Sequence, residues 1–288
     1  MIVRKVFNKL RSVFFGKQLL FNQVSRKLAK GAAGCSARII DSQNPLSWEF
    51  SAFSQNGEDG IIDYLTKRIK SPNKYFIEIG SADGIENNSA WLATCRQFSG
   101  LMIEGNTKLL SSAKKIRHNL GVEYLDWFVT QENIDKLNEY ALYTNPDFFS
   151  LDIDGNDYFL LTTIIEGGFR PKVITVEYNS AYGPDNKLTI EYDPKFVHNT
   201  SNLESYPYYG VSLAGWKTYM SSIGYEFVTV ESNGVNAFFI DPDCFDKEFI
   251  NQLEGVHFIE NFYQYKKYRK DWSKQFAYIH SRKFHIIK

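Results

Sequence analysis

The segment FFSLDIDGNDYF, residues 148–159, places three aspartates and an asparagine directly after a run of apolar residues. The run predicts a buried strand, so Asp152, Asp154 and Asp157 follow the point where that strand ends. Carboxylates that lie this close together repel one another, and a cation, a proton or hydrogen-bond donors must offset their charge. The spacing therefore indicates a polar site at the end of this strand.

Two kinds of metal site can be compared with the aspartate pattern. A calcium loop of the EF-hand type needs glycine at its sixth position, which counted from Asp152 is Asp157, so that site is excluded. The pair Asp152 and Asp154 also fits the D-x-D pattern of metal-dependent glycosyltransferases, which hold a cation against a nucleotide-sugar diphosphate. The pattern is short, and chance matches to it are common.

A third interpretation combines this turn with the end of the next strand. The predicted fifth strand ends in the residues Glu177, Tyr178 and Asn179. Because consecutive strands of such a sheet are usually neighbours, Asp152, Glu177 and Asn179 are expected to converge and to form a site for Mg²⁺. Without a metal, Asp154 or Glu177 could act directly as general base. The dipole of a helix start would explain Asp157 by itself.

Strand and helix patterns alternate regularly from about residue 50 onward. Five apolar runs separated by helical patterns predict a parallel, doubly wound sheet. A helix and a hairpin signal come after them, so the last strand is expected to run antiparallel to the rest. This order of elements resembles the class I methyltransferase sheet, a Rossmann-like α/β fold. The predicted strands span 74–80, 100–106, 122–129, 147–153, 171–179, 225–230 and 235–240.

The loop after the first predicted strand has the composition of a nucleotide-binding turn. It reads EIGSADG, and Gly80 and Gly84 would allow a ligand to approach the backbone, although the spacing is not the G-x-G-x-x-G of dinucleotide folds. It resembles the loop that binds S-adenosylmethionine (SAM), in which Glu78 would face the methionine amine. Glu104, at the end of the second strand, could accept both ribose hydroxyls, and Asp126 could face the adenine. The competing explanation is an ordinary tight turn with solvated acids.

The segment 180–210 is long, polar and rich in tyrosine. Loops of this length in a compact domain are usually functional, and its place after the fifth strand predicts that it covers the acceptor side of the site. Tyrosine and histidine surfaces suit stacking on sugar rings. His198 is a candidate general acid or base, although a loop histidine is more often merely exposed to solvent.

Charge is distributed unevenly along the chain. The net charge is zero, yet residues 1–38 carry nine Lys and Arg and no acid, and residues 266–288 carry eight and a single acid. The intervening residues 39–265 hold 16 basic and 32 acidic side chains. Residues 1–30 also predict a basic amphipathic helix, followed by a flexible segment at 30–37. Such a helix suits an anionic membrane surface, a partner or the acidic body of the chain itself. Its apolar positions are Val3, Phe7, Leu10, Phe14, Phe21, Val24 and Leu28.

Cysteine usage and hydropathy indicate where the protein works. The three cysteines are widely spaced and lack a C-x-x-C pattern, which favours a reducing compartment over a disulfide framework. No apolar run approaches the length of about 18 residues that a membrane span needs, and lysines and arginines interrupt the N-terminus where a signal peptide would be apolar. We expect a cytoplasmic protein that contacts the inner face of the membrane through its N-terminal helix, with no nucleic-acid partner.

Six motifs in order carry a resemblance to a known family. They resemble the FkbM-type SAM-dependent methyltransferases, and among these a branch common in surface-polysaccharide gene clusters, over about residues 50–242. The motifs are FSQNGEDGII (53–62), FIEIGSADGIENNS (76–89), GLMIEGN (100–106), SLDIDGNDYFLL (150–161), VITVEYN (173–179) and GVNAFFI (234–240).

The resemblance implies a class I fold and O-methylation, often of a sugar hydroxyl. A metal at Asp152 and Glu177 is implied by related metal-using methyltransferases, although those often end the fifth strand with Asp-Asp or Asp-Asn rather than Glu-Tyr-Asn. The residues expected to bind or enclose the cofactor are Gln55, Gly57, Glu58, Glu78, Gly80, Ser81, Asp83, Gly84, Glu104, Asn106 and Asp126.

Together these observations predict a SAM-dependent O-methyltransferase that acts on a sugar hydroxyl of a surface glycan or its precursor. SAM is the expected cofactor, with Mg²⁺ or another divalent cation as a second one, and a glycan or glycolipid-linked sugar is the expected acceptor. The catalytic candidates are Asp152, Asp154, Glu177 and His198. A metal-dependent glycosyltransferase and a non-catalytic binding protein of the same fold are the alternatives. The predicted organisation is a basic N-terminal extension (1–45), a methyltransferase domain (46–245) and a basic C-terminal tail (246–288) that packs on the domain or faces the membrane.

Overall fold

A central β-sheet with helices on both faces forms the body of the chain. The computed structural model describes residues 2–116 and 118–288, with side chains from residue 18 onward. The strands found there are β1 (Tyr75–Ile79), β2 (Ser99–Glu104), β3 (Val122–Asp126), β4 (Phe148–Leu151), β5 (Val173–Glu177), β6 (Leu188–Ile190), β7 (Glu226–Val230), β8 (Asn236–Ile240) and β9 (Phe284–Ile286).

The helices connect and cover these strands. Most of the βα connections that the sequence predicts are present, although the helical pattern over 131–141, between the third and fourth strands, forms only a short 3₁₀ turn followed by a single α-helical turn. The helices are α1 (Ile2–Ala37), α2 (Glu58–Thr66), α3 (Ala90–Cys95), α4 (Thr107–Ile116), α5 (Leu137–Tyr140), α6 (Asp157–Glu166), α7 (Leu213–Ser222), α8 (Lys247–Asn251), α9 (Phe262–Tyr268) and α10 (Trp272–Phe276).

The strand order confirms the predicted fold class. Seven strands pair in the order β3-β2-β1-β4-β5-β8-β7 within the described part of the chain. β1 to β5 run parallel, and β8 lies antiparallel between β5 and β7. This is a methyltransferase-like α/β fold, and the hairpin predicted near the end of the domain is the β7–β8 pair.

Alternating side chains of the strands fill two apolar layers, one on each face of the sheet. In β1, Ile77 and Ile79 face the layer that also contains Trp216 of α7, whereas Phe76 faces the layer that contains Leu65 of α2. Strands buried on both faces read as continuous apolar runs, which is why the sequence pattern identified them. The two layers leave the carboxyl ends of the parallel strands as the place where polar side chains gather.

The N-terminal helix is longer than the sequence pattern indicated. We expected a helix over residues 1–30 followed by a flexible segment at 30–37, but α1 continues to Ala37. Its last turns pack closely on the body, because a Cβ on Gly31 would lie 2.4 Å from the Ala52 Cβ and one on Gly34 would lie 3.0 Å from the Phe50 Cβ. No helix in the described ranges has the length and apolar character needed to cross a membrane.

The expected apolar face of α1 falls partly outside the described side chains. Val24 and Leu28 pack beside Phe50 and Phe53 in a small apolar cluster of the body. The remaining predicted positions Val3, Phe7, Leu10 and Phe14 lie among the residues whose side chains are not described.

The C-terminal residues pack on the 180–210 segment. β9 pairs antiparallel with β6, and the Phe284 ring lies 5.4 Å from the Tyr182 ring and 5.3 Å from the Tyr208 ring. The Tyr268 hydroxyl of α9 also donates to the carbonyl oxygen of Leu203. These contacts hold the long loop against the carboxyl ends of β4 and β5.

A buried ion pair aligns the opposite ends of the same strands. Lys172 Nζ, just before β5, lies 2.7 Å from Asp147 Oδ1, just before β4, and both side chains are almost fully buried. Asp147 also accepts from the backbone N–H groups of Asn73 and Lys74 at 3.0 and 2.7 Å, immediately before β1. This pair therefore connects the starts of the three strands that end at the polar site.

Removing the lysine should cost much stability because it leaves a buried carboxylate without its counter-charge. We expect Lys172→Met to lower the free energy of unfolding by about 3–5 kcal/mol in urea denaturation. Lys70→Met is the control, because Lys70 pairs with Asp246 at 3.7 Å with both side chains largely exposed, and its loss should cost only about 0–1 kcal/mol. Equal effects of the two changes would contradict a special role for the buried pair.

Candidate active site

The exits of β1 and β4 lie against each other at the carboxyl edge of the sheet. Gly80 follows β1 with a φ of +88°, and a Cβ on it would lie 1.8 Å from the carbonyl oxygen of Asp152. Only glycine fits this position. The Asp152 N–H donates to the Ile79 carbonyl at 3.1 Å, which extends the pairing of the two strands. This contact fixes where the aspartate-rich turn begins.

Three carboxylates meet at the ends of β4 and β5. Asp152, Asp154 and Glu177 each offer a carboxylate oxygen, and these oxygens all lie within 4.8 Å of one another. Asp154 adopts the left-handed conformation, with a φ of +57°, which aspartate tolerates better than most residues. We call these three residues the acidic cluster. The structure thus brings together three of the four residues that the sequence proposed as catalytic.

The fourth residue, His198, lies beside the acidic cluster. Its Nδ1 is 3.5 Å from Asp154 Oδ1, and its Nε2 is 2.8 Å from the carbonyl oxygen of Tyr206. A carbonyl oxygen only accepts, so Nε2 carries a proton, and Nδ1 of the neutral ring is left to accept one. The ring is largely buried and stacks on Tyr209 with centroids 4.2 Å apart. The alternative interpretation, in which His198 is a loop histidine exposed to solvent, is therefore wrong.

Burial and mutual repulsion raise the pKa values of Asp152 and Glu177, two members of the acidic cluster. The pKa of Asp152 lies well above its usual value because the carboxyl is desolvated and faces Asp154 and Asp157. The pKa of Glu177 is also well above its usual value, through desolvation first and then the charge of Asp152. Asp157 accepts from the backbone N–H groups of Ile153 and Gly155 and begins α6, as its spacing predicted. A proton or a cation is needed to stabilise this arrangement at neutral pH.

Tyr209 borders the acidic cluster and is held by α9. Its hydroxyl lies 3.4 Å from Glu177 Oε1 and receives a hydrogen bond from Gln264 Nε2 at 2.9 Å. An amide nitrogen only donates, so the tyrosine proton is directed at Glu177. Gln264 is almost fully buried, and its contact places a C-terminal residue in direct support of the site.

Asn179 supports the backbone rather than the acidic cluster. Its Nδ2 donates to the carbonyl oxygens of Pro207 and Tyr209 at 2.7 and 2.9 Å. Its Oδ1 accepts from the Ala181 N–H at 3.0 Å and from Gln264 Nε2 at 3.4 Å. The side chain is completely buried, and it does not join the three carboxylates that could hold a metal.

A cavity of about 800 Å³ opens beside the acidic cluster at the ends of β1, β2, β3 and β4. Five residues proposed from the sequence line it, and so do the aromatic residues Trp127, Phe128 and Phe196. The proposed residues in its wall are Gly80, Glu104, Asn106, Asp152 and Asp154. Phe196 belongs to the 180–210 segment, so this segment contributes to the wall on the side of the acidic cluster.

Glu104 has the position and the free acceptor capacity that a ribose-binding carboxylate needs. One of its oxygens accepts from the Ala82 N–H at 2.9 Å and the other from the Asn106 N–H at 2.7 Å. A carboxylate has about four lone-pair sites, so each oxygen can accept a further bond from a ligand. The backbone contacts fix the orientation of the carboxylate before any ligand arrives.

The remaining residues of the first loop organise the loop itself. Glu78 accepts from the backbone N–H groups of Asn88 and Ser89, at 2.8 and 3.1 Å, and burial raises its pKa to about 7. Asp83 accepts from the two N–H groups of Ile85 and Glu86. The structure therefore places Glu78 at the start of α3 and outside the cavity wall.

Two further loop residues lie behind the cavity. Gly84 has a φ of +71°, and a Cβ there would lie 2.8 Å from the Ala113 Cβ of α4. Ser81 is fully buried, and its hydroxyl has no hydrogen-bond partner within the described residues. Both positions shape the turn between β1 and α3.

Four other residues proposed from the sequence are not in the wall of the cavity formed by the described residues. Gln55 is exposed, and Gly57 packs against the Glu49 side chain. Glu58 is buried and accepts from the Asn56 backbone and from Asn236 Nδ2. Asp126 is exposed and accepts from the Thr107 hydroxyl at 3.3 Å. Their roles in cofactor binding stay predictions.

Sequence reasoning missed several residues that the structure places at the site. The aromatic pair after β3, Trp127 and Phe128, follows Asp126 directly, and two aromatics at a strand exit could have been noticed as a signal. Tyr209 was hidden among the many tyrosines of its loop. Gln264 carried no signal, because its role depends on how α9 packs.

Comparisons with known proteins give matches among solved structures alone. The chain matches no protein-family model and no curated protein sequence. Among solved structures it resembles an O-methyltransferase from Bacillus cereus in complex with SAH, at 16% identity over 76% of this chain and 89% of that chain, with a TM-score of 0.40. It also resembles the O-methyltransferase TomG from Streptomyces achromogenes in complex with SAM, at 14% identity over 73% and 93% of the two chains, with a TM-score of 0.42.

A human methyltransferase 10 domain containing protein is similar to a comparable degree, with 12% identity over 75% of this chain and 94% of that chain and a TM-score of 0.42. Likeness at this level says nothing about substrate or metal. The fold assignment rests on the strand order and directions within this chain.

Buried carboxyl groups around the site should make stability fall as pH rises. The pKa is raised by burial from 4.5 to about 7 in Glu78 and to about 8 in Glu231, so the folded chain holds protons that the unfolded chain has released. Stability contributed by these protons is lost as pH rises towards the folded-state pKa values. We expect a higher thermal midpoint at about pH 7 than at about pH 8.5 in calorimetry, a window that begins above the usual histidine pKa of about 6.5. A midpoint that rises across this window would contradict the prediction.

Proposed function

We propose that this chain is a SAM-dependent O-methyltransferase that methylates a sugar hydroxyl of a surface glycan or its precursor. The observation that carries the proposal is that Asp152 and Asp154 line the same cavity as Gly80 and Glu104. Proton-accepting groups thereby adjoin the place where a nucleoside ligand of this fold would lie, beyond the carboxyl ends of the strands.

The cavity has the size and chemistry that SAM needs. Its volume of about 800 Å³ is in the range of small-molecule sites, which are about 300–1,000 Å³. Glu104 would accept the two ribose hydroxyls, and the exposed ring of Phe128 offers an apolar face to the adenine. When bound, SAM supplies an activated methyl group on a positively charged sulfur.

His198 is proposed as the general base. Its Nδ1 would take the proton that the acceptor hydroxyl loses when the methyl group passes from sulfur to that oxygen, which would leave S-adenosylhomocysteine. Asp154, 3.5 Å from Nδ1, would stabilise the imidazolium that forms, and the Tyr206 carbonyl holds the ring in the required tautomer. The stacked Tyr209 ring restricts the orientation of the imidazole.

The acidic cluster is proposed to hold a divalent cation such as Mg²⁺. Carboxylate oxygens are the ligands that Mg²⁺ prefers. The raised pKa values of Asp152 and Glu177 come first from desolvation and then from the charges of the neighbouring acids, and a cation would relieve this repulsion. Bound there, the cation would lower the pKa of a sugar hydroxyl that it contacts. Asn179 does not fit this ligand set, because its amide is buried and occupied by backbone groups.

Aromatic residues around the acidic cluster support a sugar as the acceptor. The Phe196 ring lies so close to Gly155 that a Cβ on Gly155 would be 2.6 Å from it. The rings of Tyr206 and Tyr209 pack against His198. Flat apolar rings beside hydrogen-bonding groups suit the mixed surface of a sugar.

Replacing Glu104 tests the cofactor assignment. Charged hydrogen bonds are worth about 1.5–3 kcal/mol, so Glu104→Gln should weaken the binding of S-adenosylhomocysteine about tenfold or more in calorimetric titration. Glu123→Gln, an exposed substitution on β3, is the matched control and should leave the affinity unchanged. Equal affinity in the Glu104 variant would remove its proposed role in ribose binding.

Titration with Mn²⁺, followed by electron paramagnetic resonance of the free ion, tests the metal assignment. Asp154→Asn removes one charged ligand without changing shape, and we expect an affinity loss of about tenfold. Asp185→Asn changes an exposed acid of the neighbouring segment and should have no effect. A wild-type protein that fails to bind Mn²⁺ and retains full methyl transfer in the presence of a chelator would show that the acidic cluster works without a metal.

Two measurements test the function as a whole. Thermal shift with SAM, compared with nucleotide sugars plus Mn²⁺, separates a methyltransferase from a glycosyltransferase that would use Asp152 and Asp154. Mass spectrometry of the host glycan with and without the gene product should then reveal the loss of one methyl group. A folded protein that binds no S-adenosylhomocysteine would refute the proposal, and binding without methyl transfer to any glycan tested would favour a non-catalytic role.

A further inference from the structure

The two basic ends of the chain are attached to the same short segment, residues 50–57. From α1, Lys27 Nζ donates to the Phe53 carbonyl at 2.9 Å, and Lys30 Nζ donates to the Ser51 hydroxyl at 2.8 Å. From α9, the Tyr263 hydroxyl donates to Asn56 Oδ1 at 2.9 Å. Segments that lie at opposite ends of the sequence therefore border one part of the surface.

This shared segment lies next to the carboxyl edge of the sheet. The Phe53 ring packs edge-on against His118, whose Nε2 contacts the Gly84 carbonyl behind the cofactor loop. Asn56 contacts Glu58, which in turn accepts from Asn236, the residue paired with Glu177. The basic ends therefore flank the edge at which the cavity and the acidic cluster open.

α1 also lies close to the proposed cofactor cavity, with a second cavity between them. A second cavity of about 520 Å³ separates α1 from the loop after β1, and Arg26 and Lys27 are in its wall. Ala82 and Leu109 line both this cavity and the larger one. The basic helix is thus a neighbour of the active site and not a remote appendage.

The apolar face of α1 extends beyond the body of the protein. Val24 and Leu28 pack in the apolar cluster with Phe50, whereas Phe21, one turn earlier on the same face, is 67% exposed. In sequence, apolar residues continue at the same spacing towards the N-terminus, and α1 spans 36 residues, or about 54 Å of helix. The described side chains of the body cover the C-terminal turns of this face and leave Phe21 uncovered.

α9 presents a second exposed face of similar character. Gln264 and Tyr268 point into the body and are buried. On the other side of the helix, Phe262 is 49% and Tyr265 is 50% exposed, and they are accompanied by basic residues. Those basic residues are Lys266, Lys267, Arg269 and Lys270.

The basic charge around the exposed faces of α1 and α9 indicates what kind of partner can cover them. Residues 1–38 carry nine basic side chains and no acid, so pairing with a second copy of α1 would bring like charges together. Aromatic and aliphatic side chains interspersed with lysine and arginine are typical of helices that lie in the interface of an anionic bilayer.

We propose that α1 and α9 form one docking surface for an anionic phospholipid bilayer. Phe21 of α1 and Phe262 of α9 enter the interface, and the surrounding lysines and arginines contact the lipid phosphates. Since both helices flank the edge where the cavity opens, docking brings the active site to the lipid surface. This inference rests on the proposed function. Docking at the membrane assigns the acceptor to the class of lipid-linked sugars.

Sedimentation of the full chain with vesicles tests the docking surface. Wild-type protein should bind vesicles of phosphatidylglycerol and phosphatidylcholine and should not bind vesicles of phosphatidylcholine alone. Phe21→Asp and Phe262→Asp should each weaken binding by about tenfold, because each removes an apolar anchor and adds a repelled charge. Leu120→Asp is the matched control at a position that is 99% exposed near β3, and it should behave as wild type.

Several outcomes would overturn the proposal. These are equal binding to neutral and anionic vesicles, no binding to either, and an equal loss in the Leu120 variant. A loss confined to Phe21→Asp would show that α9 takes no part in the surface. Self-association that Phe21→Asp abolishes, without vesicle binding, would identify a second copy of the chain as the occupant.

Binding of S-adenosylhomocysteine, measured on the same samples, separates this proposal from the proposed function. Neither Phe21 nor Phe262 lines the cavity, so the variants should retain wild-type affinity for this ligand, which also shows that they are folded. Vesicle binding by a protein that does not bind S-adenosylhomocysteine would support docking and refute the enzymatic assignment.

Discussion

The acidic cluster is the arrangement on which the rest of the site depends, because Asp152, Asp154 and Glu177 repel one another and are still held within 4.8 Å. Rigid strands hold two of these residues in place. Asp152 is fixed by the contact of the β4 exit with Gly80, and Glu177 is the last residue of β5. The parallel pairing of β4 and β5 then sets their separation, and the apolar layers on both faces of the sheet prevent the strands from relaxing apart. Packing energy elsewhere thus sustains a locally unfavourable charge arrangement.

Acidic side chains in this protein have two distinct uses. Those of the acidic cluster face one another, and the structure supplies few donors to them. Others, such as Asp59 and Glu231, each accept several backbone N–H groups and so hold turns in place. The second kind satisfies buried donors that would otherwise lack partners. The number of donors around each carboxylate therefore separates the acids that organise the fold from those that are available for chemistry.

The sequence allowed the sheet and part of the site to be predicted, for physical reasons that are easy to state. Strands buried on both faces are continuous apolar runs, and adjacent parallel strands end at the same edge, so the meeting of Asp152 with Glu177 followed from their positions alone. The orientation of His198 did not follow, because it depends on the path of a long loop. Gln264 could not be predicted at all, since 86 residues separate it from the strand end it supports, and only the packing of α9 brings them together. Glu78 was predicted to bind the cofactor because acids at strand ends often bind ligands. Its carboxylate instead accepts from backbone N–H groups of the following turn, and the sequence pattern does not specify the geometry of that turn.

The support that Gln264 gives to Tyr209 bears on how the protein can be dissected. The sheet is complete at the end of β8, and a fragment that stops soon afterwards would keep both apolar layers of the strands. Such a fragment would nevertheless lack β9, the partner of β6, and the amide that directs the tyrosine hydroxyl at Glu177. A folded, cofactor-sized cavity and a competent proton-handling site are therefore separable properties of this chain, encoded in different stretches of it. Residues of α9 therefore support the candidate site together with the strand ends.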